Sequence, residues 1–499
     1  MSSIKEISAR IWASLVNYQT KKWSKKPVKS QEKTFWSLIK AGKGTAFGKD
    51  HFLASVKSVE DFQNHVPIRD YEGLRPYVDR VVQGEKNVLW PGAPKYFAKT
   101  SGTTSGSKYI PITQEMAIHQ IKSARNALLT HIYNTKNTKF LNGKMIFLQG
   151  SPVLEKTKSG IPTGRLSGIT AHFVPSYLQK NRMPSWETNC IEDWEEKVVS
   201  IVEETYQSDM TLISGIPPWV QMYFEKLITK SNKKNLSEIF QNFSLFVFGG
   251  VNYEPYKKKF NKLIGKTIDT IEYFPASEGF FAYQNEQDDK ALLLQYDSGI
   301  FYEFIKLSEF ESDKAPRHDL STVEAGVNYV MIVSTNAGLW AYNTGDTVVF
   351  TSLIPPKILV TGRYKHFISA FGEHVIASEV EQSLAETASS FNILINEFTV
   401  APKLENEGNL PCHEWCVELE TSDFNIKEFS NHLNLALCNR NIYYRDLIEG
   451  KVLKELEIVV VKKGTFKNYM KSKGKLGGQN KIPRLSNNRE LIEGVLKVN

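Results

Sequence analysis

A stretch rich in hydroxyl side chains stands out, because such residues bind anions. Residues 100–108 read Thr-Ser-Gly-Thr-Thr-Ser-Gly-Ser-Lys, between the strand-like Tyr96-Phe97-Ala98 and the apolar segment 109–112. Glycines let the backbone approach a ligand closely, while hydroxyls, backbone N–H groups and Lys108 offer donors to phosphate oxygens. The spacing differs from that of the P-loop, and a polar hairpin turn is the alternative interpretation. We expect a phosphate-binding loop.

Two carboxylates occupy turns beside predicted strands. Glu278 ends the segment Tyr273-Phe-Pro-Ala-Ser-Glu and has aromatic residues on both sides. It is a candidate ligand of Mg²⁺, which proteins hold through one or two carboxylates plus substrate phosphates. Asp346 ends the segment Gly338-Leu-Trp-Ala-Tyr-Asn-Thr-Gly-Asp and precedes a predicted strand. It could accept two hydrogen bonds from a ribose diol. An ordinary surface glutamate and an ordinary turn aspartate are the alternatives.

Two basic motifs follow further along the chain. The first, Thr361-Gly-Arg363, places a glycine beside a cation. The second, Gly477-Gly-Gln-Asn-Lys481-Ile-Pro-Arg484, lies in a strongly basic C-terminal run. Such a run is usually a solvated tail. Because glycines and a proline interrupt this one, it suits a loop that approaches a polyanion at least as well.

Composition excludes several classes of protein. The chain has 499 residues, 41% hydrophobic and 23% charged, which disfavours disorder. Its net charge of +8 is a weak excess, so no dedicated nucleic-acid binder is expected. No apolar run approaches the ~18 residues of a membrane span, and we expect no membrane insertion. Four cysteines are too few for a disulfide framework, which favours a reducing compartment and hence the cytoplasm. The pattern Cys412-His-x-x-Cys416 reads as strand rather than as a metal site.

The elements that must position these motifs follow from hydrophobic periodicity. Short apolar runs alternate with helical stretches, which predicts an α/β architecture with a largely buried sheet. Predicted strands include 145–148, 211–214, 245–248, 329–333, 347–350, 358–360, 399–400 and 456–461, and predicted helices include 113–133, 194–206, 219–228, 377–388 and 424–438. We also expect the N-terminal segment 1–16 to form an amphipathic helix, docked on the core through Ile4, Ile7, Ile11, Leu15 and Val16.

We place the domain boundary at Thr361-Gly362-Arg363. The residues before it, 1–361, form a large α/β domain in this interpretation. The residues after it, 362–499, form a smaller α+β domain of ordinary domain size.

Taken together, five motifs in order resemble the adenylate-forming superfamily. Four of them, Ser-Gly-Thr-Thr-Ser-Gly, Ala-Ser-Glu-Gly, Leu-Trp-Ala-Tyr-Asn-Thr-Gly-Asp and Gln-Asn-Lys-Ile-Pro-Arg, are most similar to the auxin-responsive Gretchen Hagen acyl-acid amido synthetases in their bacterial form. The resemblance runs from about Thr34 to the end. It implies a ligase that uses ATP and Mg²⁺, activates a carboxylic acid as acyl-adenylate and transfers the acyl group to an amine, typically of an amino acid.

The resemblance also implies roles for individual residues. Lys481 would be the cation brought by the mobile C-terminal domain, and Arg363 would contact ribose or phosphate; both are the expected catalytic residues. Glu278 would hold Mg²⁺ and Asp346 the ribose. The remaining nucleotide contacts that it implies are Thr100, Ser101, Thr103, Thr104, Lys108, Gly250, Tyr273, Phe274 and Ser277.

Two other functions stay open. An acyl-coenzyme A ligase shares the adenylation step and differs in its acceptor, and a non-catalytic nucleotide-binding protein would share only the binding site. The acyl pocket has no matching motif. The candidates for carboxylate or acyl contacts are His119, Arg165, His172 and Tyr177, with ordinary surface or core residues as the alternative.

Overall fold

A computed structural model gives the fold. The structure describes the chain except residues 1–3, 104–105, 174–178, 251–252, 311, 313–314, 365–366, 369–372, 374, 404–409, 421–423, 450–451 and 478–479, and it describes the backbone alone at 101–103, 106–107, 255, 367–368 and 442–443.

The strands are numbered in chain order. They are β1 (Tyr96–Thr103), β2 (Gly106–Ile112), β3 (Lys144–Phe147), β4 (Glu155–Lys156), β5 (Pro162–Gly164), β6 (Arg182–Met183), β7 (Met210–Gly215), β8 (Leu245–Gly249), β9 (Asp269–Ala276), β10 (Gly279–Gln284), β11 (Leu292–Leu294), β12 (Ile300–Lys306), β13 (Asn328–Thr335), β14 (Tyr342–Leu353), β15 (Pro356–Arg363), β16 (Phe367–Ile368), β17 (Val375–Ile376), β18 (Ile395–Lys403), β19 (Cys412–Leu419) and β20 (Glu457–Val461).

The α-helices are numbered in the same way. They are α1 (Ile4–Ser24), α2 (Pro27–Gly42), α3 (Ala46–Asp50), α4 (Val59–His65), α5 (Tyr71–Val82), α6 (Gln114–Thr135), α7 (Leu166–Ala171), α8 (Trp186–Cys190), α9 (Trp194–Thr205), α10 (Pro217–Ser231), α11 (Glu254–Ile264), α12 (Ala377–Ser390), α13 (Ile426–Arg440), α14 (Ile442–Glu449), α15 (Thr465–Ser472) and α16 (Glu490–Leu496).

The largest sheet has a parallel half and an antiparallel half. Its order is β12-β13-β14-β15-β11-β10-β9-β8-β7-β3-β6. The strands from β6 to β9 pair in parallel, and those from β9 to β12 pair antiparallel. The predicted α/β architecture with a buried sheet is confirmed.

Helices cover both faces of the parallel strands, and the central strand β8 is accordingly apolar on both faces. Phe246 and Phe248 of β8 pack in a core that α9, α10 and α11 complete. Leu245 and Val247, on the opposite face, pack against Val16 of α1 and the helix α6. Successive residues of β8 therefore pack in two different cores, so β8 lacks the alternation of apolar and polar residues that is typical of a half-exposed strand.

The N-terminal helix forms as predicted but docks through a different face. α1 buries Ala13, Val16 and Thr20. The face that the sequence analysis expected to dock is largely exposed, with Ile4 84% and Ile11 60% accessible. That expectation was wrong for all its members except Val16. Ala13 and Thr20 allow close helix packing against α6, which the hydrophobicity pattern does not reveal.

The C-terminal region has its own small sheet, β18-β19-β20, and its own core. Helices α12 to α14 contribute Leu384, Leu433 and Tyr444 to that core. These observations confirm a large α/β domain followed by a smaller α+β domain. Within the described part of the chain, no helix is both long enough and apolar enough to span a bilayer.

Candidate functional site

A cavity of about 2770 Å³ opens where the parallel strands end. Gly150 lies beyond β3, Gly215 ends β7, and Gly249 ends β8; all three line the cavity. Ligands of open α/β sheets bind at the carboxyl ends of parallel strands, so this is where the fold predicts a site. The sequence-predicted residues that line it are Thr100, Lys108, Gly250, Tyr273, Phe274, Ser277, Glu278, Asp346, Arg363 and Lys481.

Asp346 and Arg363 are brought together by the register of β14 and β15, in which they are direct partners. Arg363 Nε donates to Asp346 Oδ1 at 2.9 Å, and its Nη2 donates to the carbonyl of Thr344 at 3.3 Å. The nearby Asp346 carboxylate raises the pKa of Arg363 further. The Asp346 side chain is 13% exposed and that of Arg363 is 54% exposed. Both therefore hold fixed charge at the cavity wall while Arg363 keeps free donor capacity toward it.

Lys481 reaches the end of β8. Its Nζ donates to the carbonyl of Gly250 in a short hydrogen bond. Gly250 has φ +83°, and a Cβ at that position would lie 2.8 Å from Lys481 Nζ. Surrounding protein desolvates the ammonium, which faces the cavity, and lowers the pKa of Lys481 to about 8, with Arg363 contributing in the same direction. Two positions that are 231 residues apart in sequence thus form one contact.

The segment after Lys481 is anchored firmly. The backbone of Arg484 and Ser486 pairs with Val400 of β18 at 2.9 and 3.0 Å. The buried Arg484 guanidinium pairs with Glu381 at 3.2 Å and with Glu397. It also donates to the hydroxyl of Tyr256 in α11. This network holds the Lys481 loop against both α11 and the C-terminal sheet.

Glu278 sits in the tight turn between β9 and β10, where Ala276 pairs with Gly279. Burial raises the pKa of Glu278, and Asp346 adds to the rise, whereas Arg363 and Lys108 oppose it. Glu278, Asp346, Arg363 and Lys108 are therefore close enough for their charges to act on one another. Among the residues that the structure describes, no three His, Cys, Asp or Glu side chains converge as a preformed metal site. One carboxylate fits Mg²⁺, an ion that takes most of its ligands from phosphates and water.

The hydroxyl-rich stretch lies in the β1–β2 hairpin, so the two interpretations offered for it are compatible. Thr100 and Lys108 pair across the two strands and line the cavity. Lys108 Nζ lies 5.6 Å from the centre of the Tyr71 ring. The side chains of Ser101 and Thr103 are outside the described part of the structure, and Thr104 lies outside the described residues altogether.

Aromatic residues of β9 form another wall. The Tyr273 hydroxyl donates to the carbonyl of Ala124 in α6 at 2.8 Å. Phe274 packs edge-on against Phe281, with ring centres 5.2 Å apart. Ser277, immediately after this strand, is buried. The Tyr273 hydroxyl is occupied by a structural hydrogen bond, so only its ring is available to a ligand.

The four candidates for carboxylate or acyl contacts lie in different parts of the chain's structure. Arg165 lines the main cavity. His119 lines a different cavity, of about 640 Å³. His172 Nε2 lies 2.9 Å from the carbonyl of Pro152, an ordinary structural contact. Tyr177 lies outside the described residues.

Sequence reasoning missed several residues of the cavity. Glu272 lines it, and burial together with Glu381 raises the pKa of Glu272 to about 8. Arg182 and Lys197 also line it. None belongs to a recognisable motif. Arg182 lies in β6, which pairs with β3. Identifying it as a cavity residue therefore requires the strand order, which the sequence does not give.

Sequence models of one family match three parts of the chain: the GH3 family N-terminal domain at residues 17–192, the central domain at 293–363 and the C-terminal domain at 378–490. Together these matches span more than half of the chain.

Relatives and solved structures agree with these matches. The jasmonoyl–L-amino acid synthetase JAR4 of Nicotiana attenuata is 22% identical over 512 residues, covering 88% of this chain and 87% of the relative. The solved GH3.15 acyl acid amido synthetase superposes with a TM-score of 0.79 at 16% identity, covering 98% and 96% of the two chains. A 2-hydroxyisobutyryl-CoA ligase in its postadenylation state has a TM-score of 0.61 at 12% identity, with 94% and 90% covered. At these identities the structural matches establish the fold alone.

Proposed function

We propose, from the premise that this chain belongs to the GH3 family, that it is an ATP-dependent acyl-acid amido synthetase. The enzyme activates a carboxylic acid as an acyl-adenylate and passes the acyl group to an amine. The observation that carries this proposal is the convergence of Asp346, Arg363, Glu278 and Lys481 at the carboxyl edge of the parallel strands.

The first step joins two anions, and the site supplies the positive charge that this requires. A carboxylate oxygen attacks the α-phosphorus of ATP, the bond to the β-phosphate oxygen breaks, and pyrophosphate leaves. Lys481 and Arg363 bring positive charge to this point, and the Gly250 carbonyl and Asp346 hold the two side chains in place. Preorganised charges of this kind are a major source of catalysis in acyl and phosphoryl transfer.

The nucleotide is held by several walls of the cavity in this proposal. Thr100 and Lys108 contact the phosphates, together with Ser101, Thr103 and Thr104 of the same hairpin. Asp346 accepts hydrogen bonds from the ribose through Oδ2, because its Oδ1 already bonds Arg363. The adenine and α-phosphate side is bordered by the strand end at Gly250 and by Tyr273, Phe274 and Ser277.

Glu278 is the residue that would hold Mg²⁺ together with the phosphates. The ion, when bound, supplies positive charge to the phosphate oxygens. Burial raises the pKa of Glu278, and the cations Arg363 and Lys108 oppose this rise, so neighbouring positive charge favours the ionised form that a metal ligand must have.

The second step requires a different arrangement. The neutral amine attacks the acyl carbon, the bond to the AMP phosphate oxygen breaks, and the amine nitrogen releases a proton to solvent as the amide forms. We propose that residues 362–499 move as a unit relative to residues 1–361, with Gly362 as the hinge, so that Lys481 withdraws after the first step. The buried Arg484 network would then be the contact that must open and reform.

The acceptor and the compartment follow from the family and the composition. The jasmonoyl–amino acid synthetase and the acyl acid amido synthetase among the matches support an amino acid as the acceptor.

All four cysteines are free thiols. Free thiols are typical of a reducing compartment, and they support the cytoplasm as the location.

Product analysis tests the proposal and separates it from its alternatives. The protein is incubated with ATP, Mg²⁺ and a panel of carboxylic acids, with either pooled amino acids or coenzyme A as acceptor, and products are identified by mass spectrometry. We expect an N-acyl amino acid, AMP and pyrophosphate. A thioester formed without any amide would favour the acyl-coenzyme A ligase, and bound ATP without pyrophosphate release would favour a nucleotide-binding protein.

A further inference from the structure

Three basic side chains line the cavity on the side of β3 and β6, apart from the Asp346–Arg363 pair. Arg165 immediately precedes α7, Arg182 belongs to β6, and Lys197 lies in the first half of α9. Within the described part of the chain, none of the three forms an ion pair with a carboxylate. Three cations from three separate elements therefore share one wall without an internal counter-charge.

Lys197 is buried, with 1% of its surface exposed. Its Nζ donates to the carbonyl of Asn189 at 2.6 Å. An ammonium has three donors, so two N–H groups remain for a further partner. Burial lowers the pKa of Lys197 to about 8, and neighbouring Arg165 also lowers it. Lysine is rarely buried without a paired anion, and this one points to an anion supplied from outside the chain.

Arg182 is incompletely satisfied in the same way. Its Nη1 donates to the carbonyl of Ala171 at 3.3 Å. With the amide of Gln149 oriented to satisfy its hydrogen bonds, that amide accepts from Arg182 Nη2 at 2.5 Å and donates to Ser167 at 3.0 Å. Among the residues that the structure describes, the buried Nε of Arg182 has no partner. The guanidinium is thus held in a fixed orientation with a donor left over, as a binding group would be.

The position of these cations relative to Lys481 follows from the strand order. β3, β7 and β8 are consecutive parallel strands. Gln149 lies two residues beyond β3, and Gly250 lies one residue beyond β8. Neighbouring strands lie about 4.8 Å apart, so the two strand ends are roughly 10 Å apart along the same edge. The Lys481 loop also meets α9, because a Cβ at Gly477 would overlap the side chain of Trp194.

A different wall suits the acyl group. Ile121, Ala124 and Leu128 of α6 line the cavity with apolar surface. An apolar acyl chain is stabilised by contact with this apolar surface, whereas it would leave the three cations without a partner. The cationic wall is therefore available to the second substrate.

We propose that Arg165, Arg182 and Lys197 bind the carboxylate of the amino-acid acceptor. This inference rests on the proposed function and refines its second step. Guanidinium groups suit a carboxylate because their planar donors match its two oxygens. A bound carboxylate would place the amine of the acceptor toward the acyl-adenylate and away from this wall.

The test separates the two half-reactions. With an acid that supports pyrophosphate exchange, turnover is measured with three acceptors: an amino acid, its carboxamide, and hydroxylamine, which has no carboxylate. The variants are Arg165→Gln and Lys197→Met, with Lys258→Met as the control, since Lys258 is an exposed lysine on another part of the cavity wall.

We expect kcat/KM for the amino acid to fall at least about tenfold in each variant, the usual loss for one charged hydrogen bond. Pyrophosphate exchange, hydroxamate formation and turnover of the carboxamide should stay within about twofold of the unmutated protein. Lys258→Met should change none of them. Lys197→Arg should recover part of the loss, which a purely structural role for the buried lysine would not predict.

Other outcomes overturn the inference in distinguishable ways. Equal losses with the amino acid and its carboxamide in Arg165→Gln would refute carboxylate recognition, and this exposed position keeps the test valid if Lys197→Met fails to fold. Loss of pyrophosphate exchange in Arg165→Gln would assign the cations to adenylation. Thioester formation by the unmutated protein, lost in the variants, would assign them to coenzyme A. Absence of exchange in the unmutated protein would instead refute the proposed function.

Discussion

Replacing Lys481 by alanine should strongly reduce the rate of adenylation while leaving ATP binding largely intact. Its ammonium is held at the end of β8 by the Gly250 carbonyl, in a cavity that also holds Arg363 and Asp346. Its charge is needed when the acid carboxylate approaches the α-phosphate. ATP itself keeps the contacts proposed for the β1–β2 hairpin and Asp346 in the variant.

The expected size of the effect follows from the role of a single preorganised donor. Removing one such donor from a transition state costs about 2.7–4 kcal/mol, or roughly 10²–10³ in rate. The fold should tolerate the change, because the side chain of Lys481 faces the cavity and makes one hydrogen bond there. The neighbouring Arg484 network, which anchors the loop, is unchanged in this variant.

The pH dependence gives the same prediction an independent readout. The pKa of Lys481 is lowered to about 8, so its cation is lost as the pH rises through that value. The kcat/KM for adenylation reports ionisations of the free enzyme, and we expect it to fall above pH 8. This fall above pH 8 should be absent from the residual activity of Lys481→Ala.

Acid-dependent ATP–pyrophosphate exchange measures the rate, and isothermal titration with ATP measures the affinity. Lys475→Ala is the matched control, because it removes an exposed lysine from the same loop. Equal loss of exchange and ATP affinity in Lys481→Ala would contradict the reasoning and indicate a structural role. A loss of similar size in the Lys475 control would show that the assay responds to the loop's charge in general.

Three further changes test the site. Asp346→Ala should weaken ATP by about 1–3 kcal/mol in titration calorimetry, and unchanged affinity would refute the ribose contact. Gly250→Ala should displace Lys481 and reduce exchange as Lys481→Ala does, whereas Gly326→Ala, with a similar φ of +80° and no atom near its Cβ, should not. Arg484→Met leaves two carboxylates without their cation and should cost about 3–5 kcal/mol of unfolding free energy in denaturant titration; a loss below 1 kcal/mol would contradict the anchoring role.

The fold class was predictable because strong hydrophobic signals coincide with real elements. The predicted strands at 211–214 and 245–248 correspond to β7 and β8, and the helix predicted at 194–206 corresponds to α9. The sheet order was not predictable, because continuous apolar strands carry no information about their neighbours. The exposed Ile4 and Ile11 of α1 show the same limit, since hydrophobicity did not identify the docking face.

Most of the predicted site residues line one cavity, and the family to which the motifs pointed is confirmed. Their roles remain predictions. Sequence could not show that Asp346 pairs with Arg363, because that contact depends on the β14–β15 register. It could not reveal Arg182 or Lys197 either. Within the described residues, Lys197 is buried without a counter-ion and Arg182 has a buried Nε without a partner, and burial is a property of the folded chain.

The domain boundary also remains a prediction. The central family match ends at residue 363, one residue past the proposed hinge at Gly362, and the C-terminal match begins at residue 378. Limited proteolysis with and without ATP would locate the flexible segment directly. Cleavage confined to the vicinity of Gly362 supports the hinge, and cleavage elsewhere between stable fragments would move it.

Adenylation at this cavity is the central claim, and ATP–pyrophosphate exchange tests it most directly. Labelled pyrophosphate is incubated with the protein and ATP across a panel of aromatic, aliphatic and dicarboxylic acids, with and without Mg²⁺. We expect label to enter ATP only when a suitable acid and Mg²⁺ are both present. Protein that binds ATP yet shows no acid-dependent exchange with any member of the panel would contradict the account.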